Sequence, residues 1–212
     1  MLNMIGARDI SYTCDEGSGI HMVRKEEVDR ASLLRQGVLT EEASRVLNDA
    51  YIANAMTQLA YVALIADSGR PGIIMEDDVM PLFTHTGHRL ALSLAELPDD
   101  ADMLYLEACF ERCDKTTPYK ETLLRLHAPY CSAAILFTAK GARRVKTLCS
   151  PIFHGIDVMY PLLIERGQLV AYGTRPMLFA QDEFFGSDAG RPAETFEAIH
   201  RTRVPFCSHP TT

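Results

Sequence analysis

The chain has 212 residues, of which 47% are hydrophobic and 23% are charged. This length and composition are typical of one folded domain with a sizeable core, and they exclude a disordered or fibrous chain. The formal net charge of −7 disfavours phosphate backbones and anionic lipid, and no basic patch is concentrated along the sequence. We therefore expect neither nucleic acid nor a membrane surface as a partner.

The first residues and the cysteines predict a cytoplasmic chain. Residues 1–12 carry no basic region followed by the apolar run of a secretory signal. No stretch approaches the ~20 apolar residues of a membrane helix, so we expect no transmembrane segment. The six cysteines have no repeating spacing, and we therefore expect reduced thiols instead of a disulfide framework.

The predicted elements begin with a weak strand at residues 9–13 and a long helix further on. The helix is expected to start at Thr40, whose hydroxyl can accept a backbone amide, and to end at the turn of residues 67–72. Its apolar residues recur at steps of three and four, which predicts one buried stripe. The stripe consists of Ala43, Val46, Leu47, Ala50, Ala53, Ala60 and Leu64.

Strands and helices alternate in the rest of the chain. Short apolar runs predict buried strands at residues 73–75, 103–106, 132–138 and 169–172. Periodic segments predict helices after Pro81 and at residues 140–148 and 157–166. This order predicts an α/β fold with a mostly parallel central sheet flanked by helices. We expect a single domain over residues 1–189 and a C-terminal tail over residues 190–212.

Three consecutive carboxylates, Glu76, Asp77 and Asp78, follow the predicted strand at residues 73–75. Ligands of open α/β sheets bind at the carboxyl ends of the strands. If the chain stays extended, Glu76 and Asp78 point to one side and Asp77 to the other. Two like charges so close favour a cation between them, and carboxylate oxygens suit Mg²⁺ or Mn²⁺. A solvated acidic turn is the alternative.

The acidic strand end and three later blocks resemble glycosyltransferase family 25, the lipooligosaccharide and collagen galactosyltransferase-like enzymes. The matching blocks lie between Ile10 and Ser187, at residues 72–79, 132–142, 151–157 and 176–181. The resemblance implies a GT-A-like fold, a nucleotide-sugar donor such as a UDP-hexose, and Mn²⁺ or Mg²⁺. It also implies inverting hexose transfer to a hydroxyl of a glycan, lipooligosaccharide or other acceptor, as in lipopolysaccharide biosynthesis. The family opens with a strand and an arginine-bearing helix, which we expect to be missing because residues 1–6 are too few to form them.

The resemblance also implies roles for single residues. Asp78 and Glu76 would hold the metal ion. Asp157 would be the catalytic base that takes the acceptor proton, although an aspartate that opens a helix can equally be its N-cap. The residues implied in donor binding are Glu76, Asp77, Gln181 and Asp182, with Glu183 and Ser187 on the loop that follows.

Other polar residues have weaker claims. His154 could ligate the metal ion or a phosphate, although a hydrogen-bonded structural histidine is the more common environment. His85 and His88 have the spacing of a metal pair on a helix, but no third ligand is evident. Cys109 and Cys113 have similar spacing without a second pair, which favours packing or chance. The basic residues Lys140, Arg143 and Arg144 could neutralise a diphosphate, but the resemblance places their helix behind the sheet.

Two other classes of function stay open at this point. A non-catalytic relative could bind nucleotide sugars or act as a scaffold while keeping the sheet and its acidic end. An unrelated magnesium-dependent phosphotransfer enzyme could use the same acidic strand end. The second alternative is less favoured, because the sequence contains no Walker-type glycine loop.

Overall fold

A computed structural model describes residues 21–181 and Cys207. Within these residues a 3-10 turn (Lys25–Glu27) is followed by the helices α1 (Arg30–Arg35), α2 (Glu41–Val46) and α3 (Asp49–Ser68). The later elements are β1 (Gly72–Met75), β2 (Val79–Pro81), α4 (Thr86–Glu96), β3 (Met103–Tyr105), β4 (Thr117–Pro118), β5 (Leu123–Arg125), β6 (Ala134–Phe137), α5 (Ala139–Leu148), α6 (Ile156–Glu165), β7 (Ala171–Thr174) and β8 (Phe179–Gln181).

The long helix predicted from Thr40 onward is interrupted. Thr40 caps α2 with its side chain, as predicted. The chain then becomes extended at Leu47, and the Asn48 side chain caps α3 as a separate helix. The prediction of one continuous buried stripe is therefore wrong, and two of its members, Val46 and Leu64, are 55% and 40% exposed.

The central sheet has six strands in the order β1-β6-β3-β7-β5-β4. Of its neighbouring pairs, β3 and β7 are parallel and the other four pairs are antiparallel. The α/β class is confirmed, whereas the prediction of a mostly parallel sheet is wrong. The apolar run Ala134–Phe137 is fully buried although its strand is antiparallel to both neighbours. Burial on both faces gives the same sequence pattern in either strand direction, so the pattern could not decide between them.

The strand directions define two ends of this sheet. Strands β1, β3 and β7 run the same way, and β6 runs in the opposite direction between β1 and β3. The carboxyl ends of β1, β3 and β7 and the amino end of β6 therefore meet, and we term this the carboxyl end of the sheet. The opposite end, where β3 begins after Asp102, is termed the amino end. A two-stranded sheet of β2 and β8 lies at the carboxyl end, since Leu106 after β3 accepts the Phe179 amide.

Two hydrophobic clusters cover the two faces of the sheet. Met103 and Tyr105 of β3 lie in the cluster that also contains residues of α3, α5 and α6. Leu104, between them, lies in the second cluster together with Leu90 of α4. This alternation is the two-residue period of a strand, and it fixes which side chains of each strand can reach either face.

Four of the cysteines form disulfides, which contradicts the prediction of reduced thiols. The bonded pairs are Cys109–Cys131 and Cys113–Cys207. Cys149 is a buried free thiol, and Cys14 lies outside the described residues. Cys109 follows β3 and Cys131 precedes β6, and these strands are neighbours in the sheet. Spacing along the chain could not show this, because the pairing follows from the sheet order.

Some predictions fall on residues that the structure does not describe. The strand at residues 9–13 and the tail at residues 190–212, except Cys207, lie outside the described residues. The domain boundaries therefore stay a prediction. Among the described residues, no helix is both long enough and apolar enough to cross a membrane.

Candidate functional site

The acidic triplet lies at the carboxyl end of the sheet. Glu76 continues the β1–β6 pairing through a 2.8 Å hydrogen bond from its amide to the Ala133 carbonyl, and the chain then turns at residues 77 and 78. Glu76 and Asp78 are half-buried, whereas Asp77 is exposed. The predicted separation of Asp77 from the other two acids therefore exists, but a turn produces it and not the alternation of an extended strand.

Two glutamine side chains hold Glu76 from opposite sides. The amide nitrogen of Gln181 donates to Glu76 Oε2 at 3.2 Å and to Asp78 Oδ2 at 3.3 Å. The amide nitrogen of Gln58 donates to Glu76 Oε1 at 3.2 Å. Gln181 ends β8, and its strand partner Val79 directly follows Asp78, so the β2–β8 pairing brings this glutamine to the acids.

Asp157 joins the same site through Ser132. The Ser132 hydroxyl donates to Asp157 Oδ1 at 2.7 Å, and the Gln58 amide nitrogen donates to Ser132 Oγ at 3.2 Å. Ser132 and Gln58 are only 3% and 4% exposed. The result is one continuous set of hydrogen bonds, termed the polar chain, whose members are Asp78, Gln181, Glu76, Gln58, Ser132 and Asp157.

The N-cap alternative for Asp157 is wrong. Helix α6 begins at Ile156, its N-cap is Gly155, and no side chain makes a capping hydrogen bond there. Asp157 is the second helical residue, where the partial positive charge of the helix N-terminus favours a carboxylate. Its described side-chain hydrogen bond goes to Ser132, so its carboxylate is oriented toward the polar chain.

Negative charge accumulates around Glu76. The pKa of Glu76 is raised from 4.5 to about 7: burial is the largest cause, the carboxylates of Asp157, Asp78 and Asp77 follow in that order, and the Gln58 hydrogen bond acts in the opposite direction. The neighbours that contact its two oxygens are neutral amides, which stabilise a carboxylate less than a cation does. A positive charge at this position would offset both the cost of burying the Glu76 carboxylate and its repulsion by the other carboxylates.

The residues present fit a divalent cation. The Gln181 amide nitrogen marks a point within 3.3 Å of one oxygen from each of Glu76 and Asp78. A flip of the Gln181 side-chain amide would place its oxygen, instead of its nitrogen, at this point. The two orientations have the same shape. The Gln58 amide oxygen is buried and accepts no hydrogen bond within the described residues. Carboxylate and amide oxygens are the ligands that Mg²⁺ and Mn²⁺ prefer.

A second group of candidate ligands lies after β3. Ligand atoms of Glu107, Cys109 and Cys131 lie within 4.8 Å of one another. Both sulfurs are bonded to each other in the disulfide, so neither is a thiolate that could bind a metal ion. This group is therefore not a metal site in the disulfide-bonded protein.

The candidate histidines His85, His88 and His154 make no hydrogen bond to the polar chain within the described residues. A ring nitrogen of His154 accepts the Gly155 amide at 2.8 Å, which is the structural role that the sequence favoured. His85 and His88 are exposed at the start of α4, and within the described residues no group of three potential ligands includes them. The remaining candidates of the following loop, Asp182, Glu183 and Ser187, lie outside the described residues.

The basic helix α5 engages the amino end of the sheet. Arg144 Nη1 donates to Asp102 Oδ2 at 2.7 Å, and Lys140 Nζ lies 3.6 Å from Asp102 Oδ1. Asp102 itself is completely buried. Lys140 and Arg144 are therefore occupied at the end of the sheet opposite the acidic triplet, in agreement with the expected place of this helix.

Two members of the polar chain were missed by the sequence analysis. Gln58 lies one helical turn from the buried residues Ala55 and Val62 of α3, so it is a polar residue at an apolar position. Such a residue requires a hydrogen-bond partner, and that signal was available in the sequence. Ser132 opens an apolar run in the same way. Their partners could not be predicted, because they are 18 to 74 residues away along the chain.

No protein-family model matches the chain, and no curated protein matches it. Function is therefore inferred from the site geometry and from the motifs described above.

Proposed function

We propose that the chain is a metal-dependent, inverting glycosyltransferase that moves a hexose from a nucleotide sugar, such as a UDP-linked one, to a hydroxyl acceptor. The observation that carries this proposal is the polar chain, which links a pair of converging carboxylates to a third carboxylate in a helix first turn. The pair suits a cation on the donor diphosphate, and the third suits a base for the acceptor.

The donor side of the proposed site consists of Asp78 and Glu76, which would hold Mn²⁺ or Mg²⁺. When bound, the ion supplies positive charge to the diphosphate that leaves as the sugar bond breaks. Gln181 contacts both acids and fixes their relative position. Asp77 is exposed beside them and is free to contact the donor, and Asp182 belongs to the same proposal.

Asp157 would act on the acceptor side. Its carboxylate takes the proton of the acceptor hydroxyl as that oxygen attacks the sugar carbon opposite the leaving diphosphate. Ser132 donates to Oδ1, and its own oxygen accepts from Gln58, so the hydroxyl hydrogen is directed at Asp157. Oδ1 is thereby held, and Oδ2 is the oxygen that would receive the proton.

A GT-A-like fold and the compartment also belong to this proposal. The GT-A-like fold is proposed from the family resemblance, together with the acidic turn after β1 at an end of the sheet where three strands terminate. The expected cytoplasmic location depended on reduced thiols. Two disulfides favour a more oxidising compartment, because they persist where thiols are not kept reduced. Peptide mapping without reductant, on chain isolated from its source cells, would test that point.

The proposal is tested by thermal unfolding with UDP, GDP and CMP sugars, each with and without Mn²⁺. A ligand at 100 times its Kd stabilises the folded state by about 2.7 kcal/mol, or roughly 5–10 °C in a domain of this size. We expect one nucleotide to give this shift only with Mn²⁺. Asp78→Asn should abolish it at little cost in folding stability, since it removes repulsion at Glu76.

Asp99→Asn is the matched control, because Asp99 is an exposed aspartate in the turn before β3, at the amino end of the sheet. It should keep the full Mn²⁺-dependent shift. An undiminished shift in Asp78→Asn would remove Asp78 from the site. Binding that depends on Mn²⁺ without transfer from any donor would make the chain a non-catalytic relative, and no metal-dependent binding at all would overturn the proposal.

A further inference from the structure

Two aromatic side chains stand in solvent on a cross-linked pair of segments. Phe110 is 68% exposed, the most of any large hydrophobic side chain described, and Tyr130 is 42% exposed. The Tyr130 amide donates to the Phe110 carbonyl at 2.9 Å, and the Cys109 amide donates to the Tyr130 carbonyl at 3.2 Å. The Cys109–Cys131 disulfide joins the same two segments. Two exposed rings on such a fixed support are typical of a binding surface.

This aromatic pair lies at the acceptor side of the polar chain. Tyr130 precedes Ser132 by two residues, a separation of at most about 7 Å between Cα atoms. The Ser132 hydroxyl contacts Asp157 at 2.7 Å. Phe110 is paired with Tyr130 and follows the carboxyl end of β3. Within the polar chain, Ser132 and Gln58 lie between this pair and Glu76, where the donor diphosphate is proposed to bind, and Asp157 is bonded to Ser132 at the end nearest Tyr130.

We infer that Phe110 and Tyr130 form an acceptor subsite that takes a neutral pyranose ring by stacking, and this inference rests on the proposed function. A pyranose has an apolar face of C–H groups that fits an aromatic ring, and hydroxyls at its rim that fit nearby carboxylates. The chain carries a formal charge of −7, and carboxylates dominate this end of the sheet, so an anionic occupant is disfavoured. A ring stacked here would place one of its hydroxyls toward Asp157.

The disulfide-linked segments hold Phe110 and Tyr130 in place before a sugar binds. Cys131 has a φ of 69°, a left-handed conformation that is uncommon for a residue other than glycine. Its neighbours on both sides have a role in the inference, since Tyr130 would contact the sugar and Ser132 contacts Asp157. The disulfide therefore holds the stacking surface and the support of the proposed base in one register, so that little entropy is lost when a sugar binds.

The experiment is saturation-transfer NMR in which the aromatic protons of the protein are irradiated. The probes are methyl β-galactoside, methyl β-glucoside and lactose, and the variants are Phe110→Ala and Tyr130→Ala. Tyr119→Ala is the matched control, because Tyr119 is also 42% exposed but lies next to β4, at the far side of the sheet. We expect a saturation-transfer signal from at least one probe. The affinity for that probe should fall about threefold to tenfold in each of the first two variants and stay unchanged in the control.

Once a donor is found, the KM for the acceptor should rise by the same factor in Phe110→Ala and Tyr130→Ala, with the KM for the donor unchanged. The inference would be overturned if all three variants bound the probes with the same affinity, or if no probe gave a saturation-transfer signal with the wild type. A concentration-dependent dimer that Phe110→Ala abolishes would overturn it too, because the surface would then bind a second copy of this chain. Sugar binding lost in both variants while no nucleotide sugar binds with Mn²⁺ would support the subsite and refute the transferase.

Discussion

Asp102 and Glu76 are acidic side chains at opposite ends of the same sheet, and their surroundings are opposite in charge. Asp102 is completely buried and accepts from Arg144 Nη1 at 2.7 Å and from the Val170 amide at 2.9 Å, with Lys140 close by. The donors to the Glu76 oxygens among the described residues are side-chain amides, and burial together with three carboxylates raises the pKa of Glu76.

The difference in charge around Asp102 and Glu76 indicates different roles for the two ends of the sheet. The charge of a buried carboxylate is offset when cations pair with it, and here Asp102 links α5 to the residues that precede β3 and β7. A carboxylate surrounded by other carboxylates is not compensated by the described residues, and it persists only if something else supplies charge or a proton. The amino end of the sheet therefore has a structural ion pair, and the carboxyl end is where we propose that a ligand binds.

Asp157→Asn should give the largest difference between the two ends. Asparagine keeps an oxygen for the Ser132 hydroxyl but cannot take a proton at neutral pH, so transfer should fall by ~10²–10⁴. The melting temperature and Mn²⁺-dependent donor binding should hardly change. The measurement is the initial rate of sugar transfer, with Asp99→Asn as the control at the amino end. Transfer close to that of the wild type in Asp157→Asn would end its assignment as the base.

Asp102→Asn should show the second largest effect, on stability alone. Loss of the carboxylate removes the charged partner of Arg144 and Lys140, which keep only backbone carbonyls as acceptors, and it weakens the acceptor for the Val170 amide. These cations are 41% and 44% exposed and can be rehydrated, so we expect a loss of about 2–3 kcal/mol, below the range for a pair buried on both sides. Urea unfolding measures it. A loss below about 0.5 kcal/mol would mean that Asp102 is not the structural anchor of this end.

The two ends also differ in how far the sequence predicted them. The run Ile73–Met75 followed by three acids predicted both the strand and its acidic end, because a local pattern fixes both. The partners of Glu76 come from α3, β8 and the residue before β6, and those of Asp102 come from α5 and the residue before β7. Such partners depend on the sheet order, in which an antiparallel β6 separates β1 from β3. No local pattern encodes that order, so β1, β3, β6 and β7 were predicted without their directions, and the short strands β2, β4, β5 and β8 were not predicted.

The pH dependence of stability in Glu76→Gln tests whether the charge of Glu76 is uncompensated. The folded pKa of Glu76 is about 7 against the usual 4.5, so the folded protein binds this proton more tightly than the unfolded chain does. This contribution to stability is complete below pH 4.5 and is lost as the pH rises through 7. The metal-free wild type should therefore lose about 2–3 kcal/mol relative to Glu76→Gln between pH 5 and pH 8.

The measurement for Glu76→Gln is urea unfolding in a chelator at both pH values. The exposed residue Glu121 supplies the control, and Glu121→Gln should follow the wild type at both. Added Mn²⁺ should reduce the loss in the wild type but not change Glu76→Gln, because a bound cation replaces the proton. Parallel pH dependence in the wild type and Glu76→Gln would show that the charge around Glu76 is compensated after all.

Cys149 shows the effect of burial on a pKa without neighbouring charges. Its prediction has the smallest expected effect, which is an absence of alkylation. Burial alone raises the pKa of Cys149 to about 12, whereas at Glu76 the neighbouring carboxylates contribute as well. At pH 8 the Cys149 thiol therefore stays protonated, and only a thiolate reacts with iodoacetamide. We expect the peptide that contains Cys149 to stay unmodified in the folded protein and to be alkylated completely in guanidinium chloride, as measured by mass spectrometry. Rapid alkylation of Cys149 in the folded protein would show that this part of the core opens to solvent, and burial could then no longer explain a raised pKa at Cys149.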